Sequence, residues 1–95
     1  MKKLVILSDK DNVATSLVEL AVADEVAVPL AGETHTVRIN DVIPFGHKFA
    51  IRALVKGDEV LKYGEVIGRA SQAITPGDWV HTHNVESVRA RGDIT

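Results

Sequence analysis

The feature that most constrains this chain is a succession of short apolar or alternating runs, "EVAVPL", "THTVRI", "KFAIRAL", "EVLKY", "EVIGRA" and "DWVHTHNV", cut apart by "AGE", "PFG", "KGD", "YG" and "TPGD". Runs of this length bounded by Gly, Pro and Asp read as strands joined by tight turns. Fourteen valines, seven isoleucines and six threonines supply β-branched side chains, whose restricted χ1 suits a pleated surface better than a helix. The expected fold is therefore mainly β. One segment departs from the pattern. In "SDKDNVATSLVELA", Val13, Leu17, Leu20 and Ala21 recur at helical spacing, and Ser8 with Asp11 three residues on resembles a capping box, which predicts one short helix near residues 10–22.

Residues 53–60, "ALVKGDEV", align with residues 73–80, "AITPGDWV", at an offset of twenty. The two copies predict related strand–turn–strand corners in which Gly57 or Gly77 takes a positive φ and Asp58 or Asp78 bonds nearby amides. Chance similarity between two turns is the other reading. One repetition does not make a solenoid.

Ninety-five residues, 45% hydrophobic, are enough for one domain, 1–95, and too few for two. Eleven basic and 13 acidic side chains without a long run of either sign give no electrostatic reason to expect nucleic acid or an anionic membrane as partner. The absence of cysteine excludes disulfides, thiolate metal sites and cysteine nucleophiles, and fits a cytoplasmic setting. The N-terminal apolar run, Leu4 to Leu7, is shorter than the hydrophobic region of a signal peptide and reads as a strand. Met1 and the unstructured-looking "RGDIT" end suggest a whole small protein, with a piece of a longer chain as the other reading, and "RGD" at 91–93 reads as a chance match to an adhesion tripeptide.

Four histidines carry the chemical interest. On a strand, His81 and His83 would share a face with Cα atoms about 6.5 Å apart, so two imidazoles could meet one ion or substrate. Trp79, of the same parity, would wall that site or anchor the core. A carboxylate to complete a metal site would come from Asp78, Glu65 or a larger partner, since Glu86 has the wrong parity. A solvated strand face with two hydrogen-bonded histidines remains the other reading. His47, in "PFGHKFAI", stands with Lys48 at the mouth of a strand, where a base or ligand and a fixed cation for a carboxylate would lie together. An ordinary loop pair is the alternative. His35 reads as surface, and Tyr63 as a substrate donor or a filler between strands.

Three stretches, "DNVATSL", "PFGHKFAIRALVKGDEVLKYGEVIGRA" and "GDWVHTHNVES", resemble the small N-terminal domain of the altronate and galactarate dehydratase family. The combination of "GHK", "KYGEVIG" and "VHTHN" carries the resemblance. It implies an SAF-type β-clip fold, and a place either ahead of a large catalytic domain or as a separate small subunit, as in sulfolactate sulfo-lyase. The implied chemistry is elimination of water from a sugar acid such as altronate or galactarate, giving a 2-keto-3-deoxy acid. The implied residues are His47, His81 and His83 as catalytic groups, Lys48, Tyr63 and Asn84 as substrate-binding groups, and His81 and His83 as ligands of a divalent iron, manganese or zinc ion shared with the large subunit. Such a reaction needs cationic groups for the carboxylate and developing enolate, and groups that move protons, for which histidine's ordinary pKa of about 6.5 is suited. A thin β domain alone leaves little room for an enclosed cleft, so the isolated chain is expected to show no turnover. Self-association, and a non-catalytic binding module, stay open.

Overall fold

The computed structural model describes residues 3–87. Its strands are β1 (Leu4–Val5), β2 (Val13–Ser16), β3 (Glu25–Leu30), β4 (Glu33–Arg38), β5 (Lys48–Ala50), β6 (Glu59–Lys62), β7 (Glu65–Ala70), β8 (Trp79–Val80) and β9 (Val85–Ser87). They form a four-stranded sheet in the order β1-β2-β5-β8, a β3-β4 hairpin and a three-stranded sheet in the order β6-β7-β9. Every pairing is antiparallel.

No helix occurs among the described residues, so the helix expected near residues 10–22 is corrected. Val13–Ser16 is instead a strand held on both sides, with Leu4 opposite Ser16 and Val13 opposite Ala50. The apolar spacing imitated a helix because the segment feeds two cores: Val13 joins one, while Ala14 and Leu20 join the other. Ser8 and Asp11 close a turn, the Asp11 N–H donating to the Ser8 carbonyl at 3.1 Å. The buried Asp11 carboxylate accepts the N–H groups of Leu7 and Gly64, and Asn12 bonds both the N–H of Leu61 and the carbonyl of Glu59. These polar residues tie the N-terminal segment to the β6-β7 hairpin.

Four turns share one construction. They are Ala21 to Asp24, Pro44 to His47, Val55 to Asp58 and Thr75 to Asp78, each closed by a bond from the fourth N–H to the first carbonyl at 3.0 to 3.1 Å. Their third residues, Ala23, Gly46, Gly57 and Gly77, have φ of 77°, 84°, 95° and 96°. A positive φ at that position is the mark of a type II turn. Each third N–H donates to a carbonyl in or just after a strand, of Ile39, Ser16, Ala70 and Ala50 respectively, and that residue's N–H returns to the carbonyl of the fourth turn residue, all at 2.8 to 3.0 Å. The residues just before the turns pair in two bridges, Leu20 with Ile43 and Leu54 with Ile74. The twenty-residue repeat is thus half of a fourfold pattern.

The four-stranded sheet separates the two cores. Phe49 and the partly buried Trp79 pack into the first, with Leu20, Val28, Ile39 and Ile43, whereas Ala50 and Val80 belong to the second, with Val13, Leu54, Val60 and Ile74. Successive strand residues point to opposite faces, so each short strand serves both cores. Burying a side chain of this size contributes roughly 1.5–3 kcal/mol, which lets two small cores hold a chain this short.

Candidate functional site

The site begins at the second of the four turns. In the other three, the fourth residue is an aspartate whose carboxylate accepts the first residue's N–H: Asp24 from Ala21, Asp58 from Val55 and Asp78 from Thr75, at 2.8 to 2.9 Å. In the second turn the first residue is Pro44, which has no N–H to cap. The fourth position there is His47, and its side chain is released from the turn. Nδ1 of His47 accepts the indole N–H of Trp79 at 3.2 Å.

Trp79 is the hub of an aromatic cluster. Its ring stacks on His81 with centroids 4.9 Å apart and an interplanar angle of 7°, and it meets His83 at 5.4 Å and His47 at 5.8 Å. The His47 and His81 rings are themselves 5.2 Å apart. The three histidines singled out from the sequence therefore gather round one indole. The means differ from the expected strand face, because β8 stops at Val80 and residues 81–84 form a turn closed by bonds from the N–H groups of Asn84 and Val85 to the His81 carbonyl. Asn84 is buried and its amide faces that turn, accepting from the His81 N–H and donating to the Trp79 carbonyl.

On the other face of the sheet lies a cleft of about 720 Å³. Lys48, Lys62, Glu65 and His81 provide its polar wall, and Ile67 and Val80 part of its apolar wall. Loss of hydration on burial, and then the neighbouring Lys62 charge, lower the Lys48 pKa below the usual lysine value. Two amines against the single Glu65 carboxylate leave the cleft wall with an excess of positive charge, which favours an anion. His81 is common to cleft and cluster. The Lys62 ammonium lies 4.9 Å above the Tyr63 ring, while the Tyr63 hydroxyl donates to Thr15 Oγ1 at 3.1 Å. Tyr63 also has a φ of 56° in the two-residue turn joining Lys62 to Glu65, so it shapes the corner between β6 and β7.

Sequence reasoning missed Lys62. A register shift between Val60 and Leu61 breaks the inside–outside alternation of β6, so parity gives no signal for a side chain turned to the cleft. Strand parity offers Trp79 only as wall or anchor; its hydrogen bond to His47 joins residues far apart in the chain. His35 lies on exposed β4 beside Glu33, 3.8 Å away. "RGD" at 91–93 lies outside the described residues.

The residues do not by themselves fit a metal centre. Among the described residues no group of three His, Asp or Glu side chains is arranged to hold an ion. The Nδ1 lone pair of His47 is occupied by the indole N–H. Asp78, one of the carboxylates the sequence offers, is engaged with the Thr75 N–H and the Asn40 amide.

Residues 2–88 match the family described as the altronate/galactarate dehydratase SAF domain. The altronate dehydratase of Escherichia coli (strain K12) is 42% identical over 77 residues, which cover 81% of this chain and 15% of that protein. The altronate dehydratase of Bacillus subtilis (strain 168) is 31% identical over 87 residues, 92% of this chain and 17% of that protein. The (2R)-sulfolactate sulfo-lyase subunit alpha of Chromohalobacter salexigens is 49% identical over 51 residues, 54% of either chain. The match therefore spans about a sixth of the two dehydratases and about half of the sulfo-lyase subunit.

Proposed function

The chain belongs to the SAF-domain family of altronate and galactarate dehydratases, and from that premise we propose that it is the small subunit or accessory domain of a sugar-acid dehydratase. In this reading it works with a large catalytic partner in the cytoplasm, on an aldonate or aldarate such as altronate or galactarate. The observation that carries the proposal is the cleft in which Lys48 and Lys62 face the same space, with His81 at the junction to the imidazole cluster.

The reaction removes a proton from the carbon beside the carboxylate and hydroxide from the next carbon, leaving an enol that becomes a 2-keto-3-deoxy acid. The two ammonium groups hold the substrate carboxylate as charge grows on it in the enolate-like transition state. His81 lines that cleft, with the His47 ring 5.2 Å from its own on the cluster side, and the pair exchange protons or hydrogen bonds with substrate hydroxyl groups that extend past His81. A divalent ion, where the assembled enzyme uses one, draws most of its ligands from the partner. The likeness to a sulfo-lyase alpha subunit supports a second substrate class, because paired amines hold a sulfonate as readily as a carboxylate.

The test is reconstitution with the large partner and assay against altronate, galactarate and sulfolactate. Turnover of a sugar acid that requires both chains is expected. The Lys48→Met, Lys62→Met double variant should raise KM at least about tenfold, the loss of roughly one charge-assisted bond. An unchanged KM in that folded variant would remove the cleft from the proposal.

A further inference from the structure

The bond between the Trp79 indole and His47 reaches further than packing. A neutral imidazole carries one proton, on Nδ1 or Nε2, and its partner decides which. An indole N–H can only donate, so Nδ1 of His47 must be the acceptor and the proton must sit on Nε2. The indole itself has little freedom to yield. The backbone N–H of Trp79 donates to Asp41 Oδ2 at 3.1 Å, its carbonyl accepts from Asn84 Nδ2 at 2.9 Å, and its ring is stacked on His81. His47, for its part, has no turn N–H to cap, since Pro44 provides none.

We propose that Trp79 is a positioning residue that locks His47 in the Nε2–H tautomer, so that His47 offers a proton from Nε2 rather than a lone pair. His47 then serves as a hydrogen-bond donor to an oxygen that gains charge during the reaction. To act as base or ligand through Nε2 it would first have to break the indole bond. The catalytic part of this inference rests on the proposed dehydratase function; the tautomer does not.

The experiment has two arms. In the first, the ¹⁵N-labelled chain is examined by long-range ¹H–¹⁵N correlation at about pH 8, where imidazoles are neutral. One tautomer is expected for His47, with its unprotonated nitrogen at Nδ1, and Trp79→Phe should convert it to a mixture. A proton on Nδ1 in the unaltered chain overturns the proposal, and so do His47 nitrogen resonances that Trp79→Phe leaves unmoved. Should Trp79→Phe fail to fold, the unaltered chain alone decides. In the second arm, Trp79→Phe reconstituted with the large partner should lose about tenfold or more in kcat with KM little changed. A kcat equal to that of the unaltered protein overturns the catalytic part. If the unaltered pair turns over no sugar acid, the proposed function falls while the tautomer result stands.

Discussion

Oδ1 of Asn84 accepts the backbone N–H of His81 at 3.0 Å, which makes the shape of the histidine turn depend on an amide buried beneath it. Nδ2 of the same residue donates to the Trp79 carbonyl, so one side chain fixes both ends of the segment carrying two of the cluster's rings. Asn84→Ala leaves both backbone groups without that partner and should cost about 1–3 kcal/mol, read as a lower urea midpoint. The ring-current shifts of His81 should collapse in the same variant. A full set of unchanged His81 shifts would show that the turn holds itself.

The turn at Pro44 predicts a coupling. His47→Asp alone has no N–H to accept, whereas Pro44→Ala with His47→Asp recreates the capped turn seen at Asp58 and Asp78. The double variant should be more stable than the sum of the singles by about 0.5–1.5 kcal/mol. A double-mutant cycle in chemical denaturation measures it, and additivity within error would refute the shared design of the four turns.

The two Gly-Asp turns should respond differently to alanine. At Gly57, with φ of 95°, an added Cβ meets nothing within 4 Å, so Gly57→Ala carries only backbone strain of about 1–3 kcal/mol. At Gly77, with φ of 96°, the same Cβ would lie 2.0 Å from the Arg38 carbonyl oxygen. Gly77→Ala should therefore cost markedly more, or prevent folding, as a comparison of thermal midpoints will show.

Lys48 makes stability depend on pH in a defined sense. Its pKa is lowered in the folded chain by burial and by Lys62, so below the folded value the protonated amine opposes folding, and the penalty fades as pH climbs from there to the usual 10.5. Lys48→Met should raise the thermal midpoint at neutral pH, with a gain that shrinks in alkaline buffer. A gain that grows between pH 8 and 10 would contradict this sign. On the proposed function the same variant should also weaken carboxylate binding after reconstitution, so stability and function should move in opposite directions.

The β class was legible because Val, Ile and Thr fill short runs between turn residues, and the two Gly-Asp corners because glycine and aspartate each have a local job there. The other two corners escaped. Ala23 takes a positive φ without being glycine, and His47 replaces the aspartate, so neither carries the expected letters. The segment after Asp11 misleads because helical spacing implies one shared face, whereas Val13 and Leu20 enter different cores. The histidines could be flagged from their spacing. Their meeting point could not, since it depends on an indole, a turn anchored by Asn84 and a proline that frees His47. The second amine of the cleft was hidden by an irregular register in β6.

His47 and Lys48 are neighbours in the chain, yet the sheet sends the imidazole towards Trp79 and the amine into the cleft. Which chemistry appears on which side is therefore a matter of phase, and a one-residue slip of β5 would exchange them. The phase is set by Ser16, whose carbonyl receives the Gly46 N–H and whose own N–H returns to the His47 carbonyl. That pair of backbone bonds is the frame mark from which both faces are read, so the four matching clips do more than close corners. One of them tells the strand where to start counting.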